Sequence, residues 1–248
     1  MSDTTTFGPW RAQVEPFEAD FFGGPVWRLS LEEADASEEA IKQGIEEATK
    51  AARAGGVRLM VSRVPTSGAE ATAALASAGF NAIETLVTFK RSLEGIEATM
   101  PERVRPIAEG DDRPLVQLGR AAFNYDRYHA DPMIMDPIAD AIKGAWVENG
   151  INGRADVTLV AEHEGRPVGF NLCMLRGDTA IIDLIAVERR CQGQGLGTDL
   201  VKGALAWFSD KATTLCVGTQ TNNAPSVKMY TTCGFEVASE VKTFHWHP

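Results

Sequence analysis

Three closely spaced glycines form the part of this sequence with the clearest chemical meaning. They lie in a turn that follows an apolar, strand-like segment and opens an amphipathic helix. Glycine lets a ligand approach the backbone closely, and the N–H groups at a helix start attract negative charge. The turn therefore predicts an anion site, and a pyrophosphate is the group that suits it. It consists of Gln192, Gly193, Gln194, Gly195, Leu196, Gly197 and Thr198.

The spacing of these glycines excludes two common nucleotide-binding loops. A dinucleotide fingerprint, G-x-G-x-x-G, that starts at Gly193 needs a third glycine at position 198, which is Thr198. A Walker A loop needs a G-K-[ST] triplet, and the chain has none. The pyrophosphate must therefore belong to another class of ligand.

A second pattern follows about 25 residues later and centres on a tyrosine. Asn223 is a good helix N-cap, and Pro225 is tolerated in a first helical turn. Tyr230 suits either an amphipathic helix that buries its ring or a site that uses its hydroxyl as a proton donor. These residues alone do not separate the two interpretations.

Together the two patterns resemble the GCN5-related N-acetyltransferases (GNAT). Gln192, Gly195 and Gly197 fit the family's Q/R-x-x-G-x-G/A, and the segment 223–235 fits its N-x-x-A/S-x-x-x-Y-x-x-x-G-F. The resemblance implies an N-acyltransferase that takes its acyl group from acetyl-CoA. It also implies an α/β fold with a mixed central sheet flanked by helices.

The resemblance assigns roles to individual residues. The strand before the turn offers backbone N–H groups to the cofactor, and Tyr230 protonates the departing thiolate. His129 is our candidate for the base that deprotonates the amine, on chemical grounds alone. The implied cofactor-binding residues are Ile185, Ala186, Val187, Gln192, Gly193, Gln194, Gly195, Leu196, Gly197, Thr198, Asn223 and Tyr230.

Other stretches are similar to bacterial enzymes that acylate the amine of a dTDP-linked amino-dideoxy sugar. They are Phe17–Gly23, Ala121–Pro132 and Ala145–Asn149, of which the last carries a W-x-x-N pattern. The loop in the second stretch combines aromatic rings, a guanidinium and an imidazole, which could stack on a base and pair with a diphosphate. A plain surface loop is the alternative. The implied substrate-binding residues are Tyr125, Arg127, Tyr128 and His129.

Alternating strand and helix patterns divide the chain into two α/β blocks. The boundary is expected at Met100-Pro101, which gives an N-terminal domain over 1–100 and an acyltransferase domain over 103–248. The smaller first domain is expected on the substrate side or in dimerisation.

The two blocks contain a short internal sequence similarity. At an offset of 155 positions, Ala78-Gly79-Phe80 falls on Cys233-Gly234-Phe235. The first block is then a degenerate half-GNAT unit, because Leu75 stands at the position of Tyr230 and Gly68 at that of Asn223. Chance similarity of small α/β units is the alternative.

Composition and charge exclude several classes of binding partner and cellular setting. The net charge is −10, and no basic cluster suggests nucleic-acid binding. No apolar run is long enough to span a membrane, Met1–Phe7 lacks the features of a secretory signal, and four scattered cysteines suggest a reduced, cytoplasmic setting. His245 and His247 have no evident third ligand, so we expect no metal.

The leading hypothesis is a cytoplasmic N-acyltransferase that acts on a nucleotide-linked amino sugar. The sequence leaves the oligomeric state open, and the resemblance suggests a homodimer. A GNAT enzyme for another amine, such as an amino acid, an antibiotic or a protein N-terminus, is the second hypothesis. A CoA-binding module without turnover is the third. An intact Tyr230 argues against the third, because a sensor needs no proton donor for a thiolate.

Overall fold

The computed structural model describes residues 4–33 and 35–248. Packing divides the chain into two compact units. Unit 1 comprises the residues up to Leu86 together with Glu240–Pro248, and unit 2 comprises Val87–Ser239. Within the described residues, no helix combines the length and apolar character needed to cross a membrane.

Unit 1 is a sheet whose strand order is β1-β2-β3-β4-β11. Helix α2 covers it, because Ser37 caps the helix by accepting the Ala40 N–H and the stripe Ile41, Ile45 and Ala48 is buried. Its elements are β1 (Thr4–Phe7), β2 (Trp10–Val14), α1 (Pro16–Phe22), β3 (Val26–Leu31), α2 (Glu38–Ala54), β4 (Leu59–Pro65), α3 (Ala69–Ser77) and the first half of β5 (Asn81–Ser92).

Unit 2 is a sheet in the order β5-β10-β9-β8-β7-β6, with helices on both faces. Helix α6 packs in the core on one face, and α4 packs in a separate core on the other. Its further elements are β6 (Val104–Pro106), α4 (Asp112–Ala121), α5 (Asp136–Asn149), a π-helical turn (Gly150–Arg154), β7 (Val157–His163), β8 (Arg166–Arg176), β9 (Thr179–Val187), a 3-10 turn (Arg189–Cys191), α6 (Leu196–Phe208), β10 (Thr214–Gln220) and α7 (Ala224–Thr232). The chain then continues into β11 (Glu236–Trp246), most of which belongs to unit 1.

Two irregularities in β9 shape the middle of unit 2. Leu184 pairs with Leu172 of β8 while Ile182 pairs with Cys173, so Asp183 is the extra residue of a β-bulge. On its other side β9 pairs in parallel with β10, but only from Thr179 to Ile182. In the described chain, residues 183–187 have no partner on β10. The two strands therefore diverge at the bulge.

The internal repeat extends over more elements than the sequence indicates. β4, α3 and β5 begin 155 positions before β10, α7 and β11, respectively. By the same offset β3 falls within β9, and α2 spans α6. This agreement supports the half-unit interpretation over chance similarity. The mixed α/β architecture is confirmed.

The outer strands are exchanged between the two halves of the sequence. Val241–Trp246 of β11 pairs antiparallel with Met60–Pro65 of β4 in unit 1. In unit 2, β5 occupies the place next to β10, and the Leu93 N–H donates to the Thr213 carbonyl just beyond the two strands. The division into domains at residues 101–102 stays a prediction, and packing groups the strands in a different way.

Most predicted helices and strands are confirmed, with bounds that differ by a few residues. The sequence did not predict β1, β2 or α1, because these elements are short and carry little apolar periodicity. Tertiary contact holds them in place. A Cβ atom on Gly44 of α2 would lie 2.4 Å from the Phe7 carbonyl oxygen, so only glycine lets the helix lie this close to β1.

A glycine also sets the contact between α4 and α5. A Cβ atom on Gly119 would lie 2.5 Å from Cγ2 of Val147. Gly119→Ala should therefore lower the free energy of unfolding by about 1–2 kcal/mol, although alanine favours helices. Urea unfolding measures this change. Gln117→Ala, at an exposed position of the same helix, should stay within about 0.5 kcal/mol of the parent protein. Equal stability of the two variants would contradict the close contact.

Candidate active site

The glycine turn forms the start of α6 and leaves several backbone N–H groups without intrahelical partners. Gly193 and Gly195 have φ angles of 77° and 84°, a region that favours glycine. Gly195 is the N-cap of α6 and has no side chain to accept the first N–H groups. No atom lies within 4 Å of where a Cβ of Gly193 would be. This open backbone is suited to an anion.

The remaining residues of the turn fix its position. The Gln192 side-chain amide donates to the Val187 carbonyl at 3.0 Å, which ties the turn to the end of β9. Leu196 is buried in the core, so only its backbone can face a ligand. A Cβ on Gly197 would lie 3.0 Å from the Met229 sulfur, so this glycine serves the packing of α6 against α7.

Arg103 compensates an acidic residue beside the turn. Asp199 lies in the first turn of α6, where its charge opposes the binding of an anion. Arg103 donates to the Asp199 carboxylate at 2.6 Å and to the Gln194 carbonyl at 3.2 Å. It therefore neutralises the carboxylate and holds one peptide of the turn. The sequence did not indicate Arg103, because 91 positions separate it from Gln194.

The strand residues assigned to the cofactor lie beyond the point where β9 leaves β10. The side chains of Ile185 and Val187 pack toward the α6 core, whereas Ala186 packs in the core on the α4 face. In the described chain their backbone has no partner on β10. This free strand edge leads from the glycine turn back to the bulge at Asp183.

Tyr230 lies on α7 between two aromatic rings. Its ring centroid is 5.8 Å from those of Phe89 and Phe235, and 1% of the residue is exposed. Burial raises the pKa of the phenol above its ordinary value of 10, and the nearby thiols of Cys233 and Cys173 add to the shift. The phenol is therefore protonated at neutral pH. Among the described residues, its hydroxyl makes no hydrogen bond.

Asn223 caps α7 as expected. Its side-chain oxygen accepts the Ser226 N–H at 3.3 Å, and its side-chain nitrogen donates to the Thr219 hydroxyl at 3.2 Å. Both polar atoms of the side chain are thus engaged within the protein. The observed role of Asn223 is to hold the start of the helix that carries Tyr230.

The loop after α4 differs from the expected exposed binding loop. Tyr125 is 43% exposed, but Arg127 and Tyr128 are buried. The Arg127 guanidinium lies 4.6 Å from the centroid of the Tyr128 ring and donates to its hydroxyl. Stacking on the ring draws the guanidinium inward, away from where a solvent-borne diphosphate would meet it. Of the four predicted substrate-binding residues, Tyr125 is the most accessible.

His129 is locked between two carboxylates. Its Nδ1 lies 2.6 Å from Asp126 and its Nε2 3.1 Å from Asp140. The hydrogen bond with Asp126 raises the pKa of His129 against the effect of burial. Burial alone would raise the pKa of Asp126, but the bond from His129 and the charge of Lys143 hold it below its ordinary value. The raised pKa favours the cationic form of the ring, in which both nitrogens donate to the carboxylates, a poor arrangement for a general base.

The structure adds one acidic residue that the sequence analysis did not single out. Asp183 is the acidic residue of an otherwise apolar strand. This contrast is the signal in the sequence that could have identified it. It accepts the Trp146 indole N–H at 3.1 Å and forms an ion pair with Arg154. The tryptophan is that of the W-x-x-N pattern. This pattern therefore has a structural role at the bulge.

Comparisons with known proteins agree with the motifs. Residues 124–235 match the model of the Acetyltransferase (GNAT) family. The spore coat polysaccharide biosynthesis protein SpsD of Bacillus subtilis is 31% identical over 144 residues, 58% of this chain and 50% of the relative. The dTDP-fucosamine acetyltransferase of Escherichia coli is 30% identical over 145 residues, 56% of this chain and 60% of the relative. The chain thus spans about half the length of these relatives.

Solved structures show the same fold over almost the whole chain. A GCN5-related N-acetyltransferase from Sphaerobacter thermophilus has a TM-score of 0.67 at 13% identity and covers 96% of this chain and 76% of its own. A tandem GNAT protein from the clavulanic acid biosynthesis pathway has a TM-score of 0.63 at 14% identity. This match covers 96% of the chain described here and 78% of the tandem protein. The expected GNAT fold is confirmed, and the matches support an N-acyltransferase enzyme.

The pairing of His129 with two carboxylates predicts that the free energy of unfolding depends on pH. Because its folded pKa is raised, His129 stabilises the fold fully below the unfolded value near 6.5 and loses this contribution as pH rises through the folded value. His129→Gln should lower the free energy of unfolding by about 2 kcal/mol at pH 6 and by less at alkaline pH. Urea unfolding from pH 6 to 9 measures this difference.

Asp140→Asn is the matched control for this prediction, since Asp140 is the more exposed of the two partners. It should cost clearly less stability than His129→Gln at pH 6. If His129→Gln lowered the free energy of unfolding by the same amount at every pH, the ion pairing of His129 would be contradicted.

Proposed function

From the match of residues 124–235 to the GNAT acetyltransferases and from the GNAT fold of the chain, we propose that the protein transfers an acetyl group from acetyl-CoA to the amine of a dTDP-linked amino-dideoxy sugar. The observation that carries this proposal is the divergence of β9 from β10 beside the glycine turn. The free edge of β9 ends at Val187, to which the side chain of Gln192 ties the glycine turn, so a long ligand with a pyrophosphate could contact both.

Acetyl-CoA would supply the acyl group as a thioester, and the residues of unit 2 fit its parts. The amides of Gln192–Thr198 would hold the pyrophosphate, with Arg103 cancelling the charge of Asp199. The backbone of Ile185, Ala186 and Val187 would hydrogen-bond the arm that leads to the thioester. Asn223 would act through the helix that it caps.

Acyl transfer requires a neutral amine, a polarised carbonyl and a donor for the departing sulfur. The amine attacks the carbonyl carbon, the carbon–sulfur bond breaks, and the amine proton leaves to water. We assign the donor role to Tyr230, since burial keeps its phenol protonated and its hydroxyl is not engaged by other described residues. His129 is left out of the proton transfer, because both of its nitrogens face carboxylates.

The sugar nucleotide is proposed from the relatives and from the loop after α4. The E. coli relative is named a dTDP-fucosamine acetyltransferase, and the B. subtilis relative a polysaccharide biosynthesis protein. In this proposal Tyr125 stacks on the acceptor, while Arg127, Tyr128 and His129 form the rigid frame of the loop. A homodimer and a cytoplasmic location are further parts of the proposal.

Mass spectrometry of product mixtures tests the proposal directly. The protein is incubated with acetyl-CoA and a panel of dTDP-linked amino sugars, amino acids and peptides with free N-termini. A mass gain of one acetyl group on an amino sugar alone supports the proposal. Acetylation of an amino acid or a peptide would favour a GNAT enzyme for another amine. Binding of acetyl-CoA without turnover of any acceptor would favour a CoA-binding module.

Tyr230→Phe separates chemistry from packing, because it removes one oxygen and keeps the ring. The variant should lose roughly 10²–10⁴-fold in kcat, the usual range for general acid catalysis. Its acetyl-CoA affinity, measured by calorimetry, should stay within about twofold, because the proton is needed in the transition state. Rapid-quench measurement of the chemical step provides the test. A variant whose chemical step runs at the parent rate would leave Tyr230 as a core aromatic.

A further inference from the structure

Asp183 is an acidic side chain in an apolar environment with two dedicated supports. Its neighbours Ile182 and Leu184 are buried, and 13% of its own side chain is exposed. Trp146 donates its indole N–H to Oδ2 of Asp183, and Arg154 pairs with the same oxygen. The second oxygen, Oδ1, receives only a 3.5 Å contact from Arg154. It can therefore accept a further hydrogen bond.

The alternation of β9 places this carboxylate on the face of α4 and α5, and the bulge places the next side chain on the same face. Ala180 and Ile182 pack in the core on the α6 face, as the alternation of a strand requires. Leu184 packs in the core on the α4 face instead. Asp183 bonds to Trp146 of α5, so the extra residue places two successive side chains on the face of α4 and α5.

Arg154 reaches Asp183 from an irregular backbone segment. It ends the π-helical turn Gly150–Arg154, which follows α5 directly. Its guanidinium also lies 5.6 Å from the centroid of the Trp146 ring. The two supports thus contact each other as well as the carboxylate. Such an arrangement holds a side chain in one orientation, which is what a binding group needs.

The position of Asp183 along β9 relates it to the proposed acyl donor. It lies four positions before Val187, which at about 3.3 Å per residue is about 13 Å along the strand. A cofactor whose pyrophosphate binds at the glycine turn and whose arm follows the free edge of β9 would bring its thioester toward Asp183. This step rests on the proposed function.

We propose that Asp183 is the binding site for the acceptor amine. Oδ1 accepts an N–H of the incoming ammonium, and Trp146 and Arg154 act as positioning residues. After the ammonium loses one proton to water, the carboxylate keeps the remaining N–H groups directed toward itself, so that the lone pair faces the thioester.

Asp183→Asn tests this assignment, because it keeps the shape and removes the charge. The variant should lose about 100-fold in kcat/KM for the acceptor, the effect of one charge-assisted hydrogen bond. Most of this loss should appear in the KM of the acceptor, while the acetyl-CoA dissociation constant changes less than about twofold. Asp156→Asn is the matched control, since Asp156 forms an ion pair with Arg176 on the surface. It should leave both quantities unchanged.

A binding measurement without acetyl-CoA gives a readout that does not depend on turnover. Calorimetry compares a dTDP-linked 4-amino-4,6-dideoxy sugar with the analogue that carries a hydroxyl at the same carbon. The amide variant should weaken binding of the amine about tenfold or more and leave the hydroxyl analogue unchanged. An equal loss for both ligands, or no loss for the amine, would overturn the role of Asp183. Failure of the parent protein to bind acetyl-CoA would instead overturn the proposed function.

Discussion

One extra residue in β9 is the constraint on which the site depends. Because Asp183 has no partner on β8, the strand changes its phase there, and its ladder with β10 ends at Ile182. The next residues then have a free backbone edge in the described chain. The extra residue itself carries the carboxylate that bonds to Trp146 of α5. A regular strand that stayed paired with β10 would leave no free backbone edge for a long ligand.

Charge placement divides the surroundings of the sheet into two environments. At the glycine turn, open N–H groups and the neutralised Asp199 make a region that accepts an anion. On the face of α4 and α5, the carboxylates of Asp126 and Asp183 each have cationic partners. We propose the first environment for a pyrophosphate and the open oxygen of Asp183 in the second for an amine. The buried phenol of Tyr230 lies in the α6 core, on the other face from Asp183.

The sequence predicted those features that depend on local pattern. The turn 192–198, the helix with Tyr230 and most helices and strands follow from glycine spacing, caps and periodicity. Interactions between distant positions could not be read in this way. The phase change at Asp183 depends on β8, and the exchange of β5 and β11 follows from packing. The loop of Arg127 and His129 has the residue types expected of a binding loop, but neighbours from α5 convert it into a buried ionic cluster.

Hydrogen exchange with and without acetyl-CoA tests the central claim most directly, because it follows the backbone groups themselves. If the cofactor lies along the free edge of β9, exchange should slow in peptides that cover residues 183–187 and 193–199. The equivalent start of α2 in unit 1, which lacks the glycines, should show no change. Slowed exchange at α2, or no change at the edge of β9 under saturating acetyl-CoA, would contradict the account.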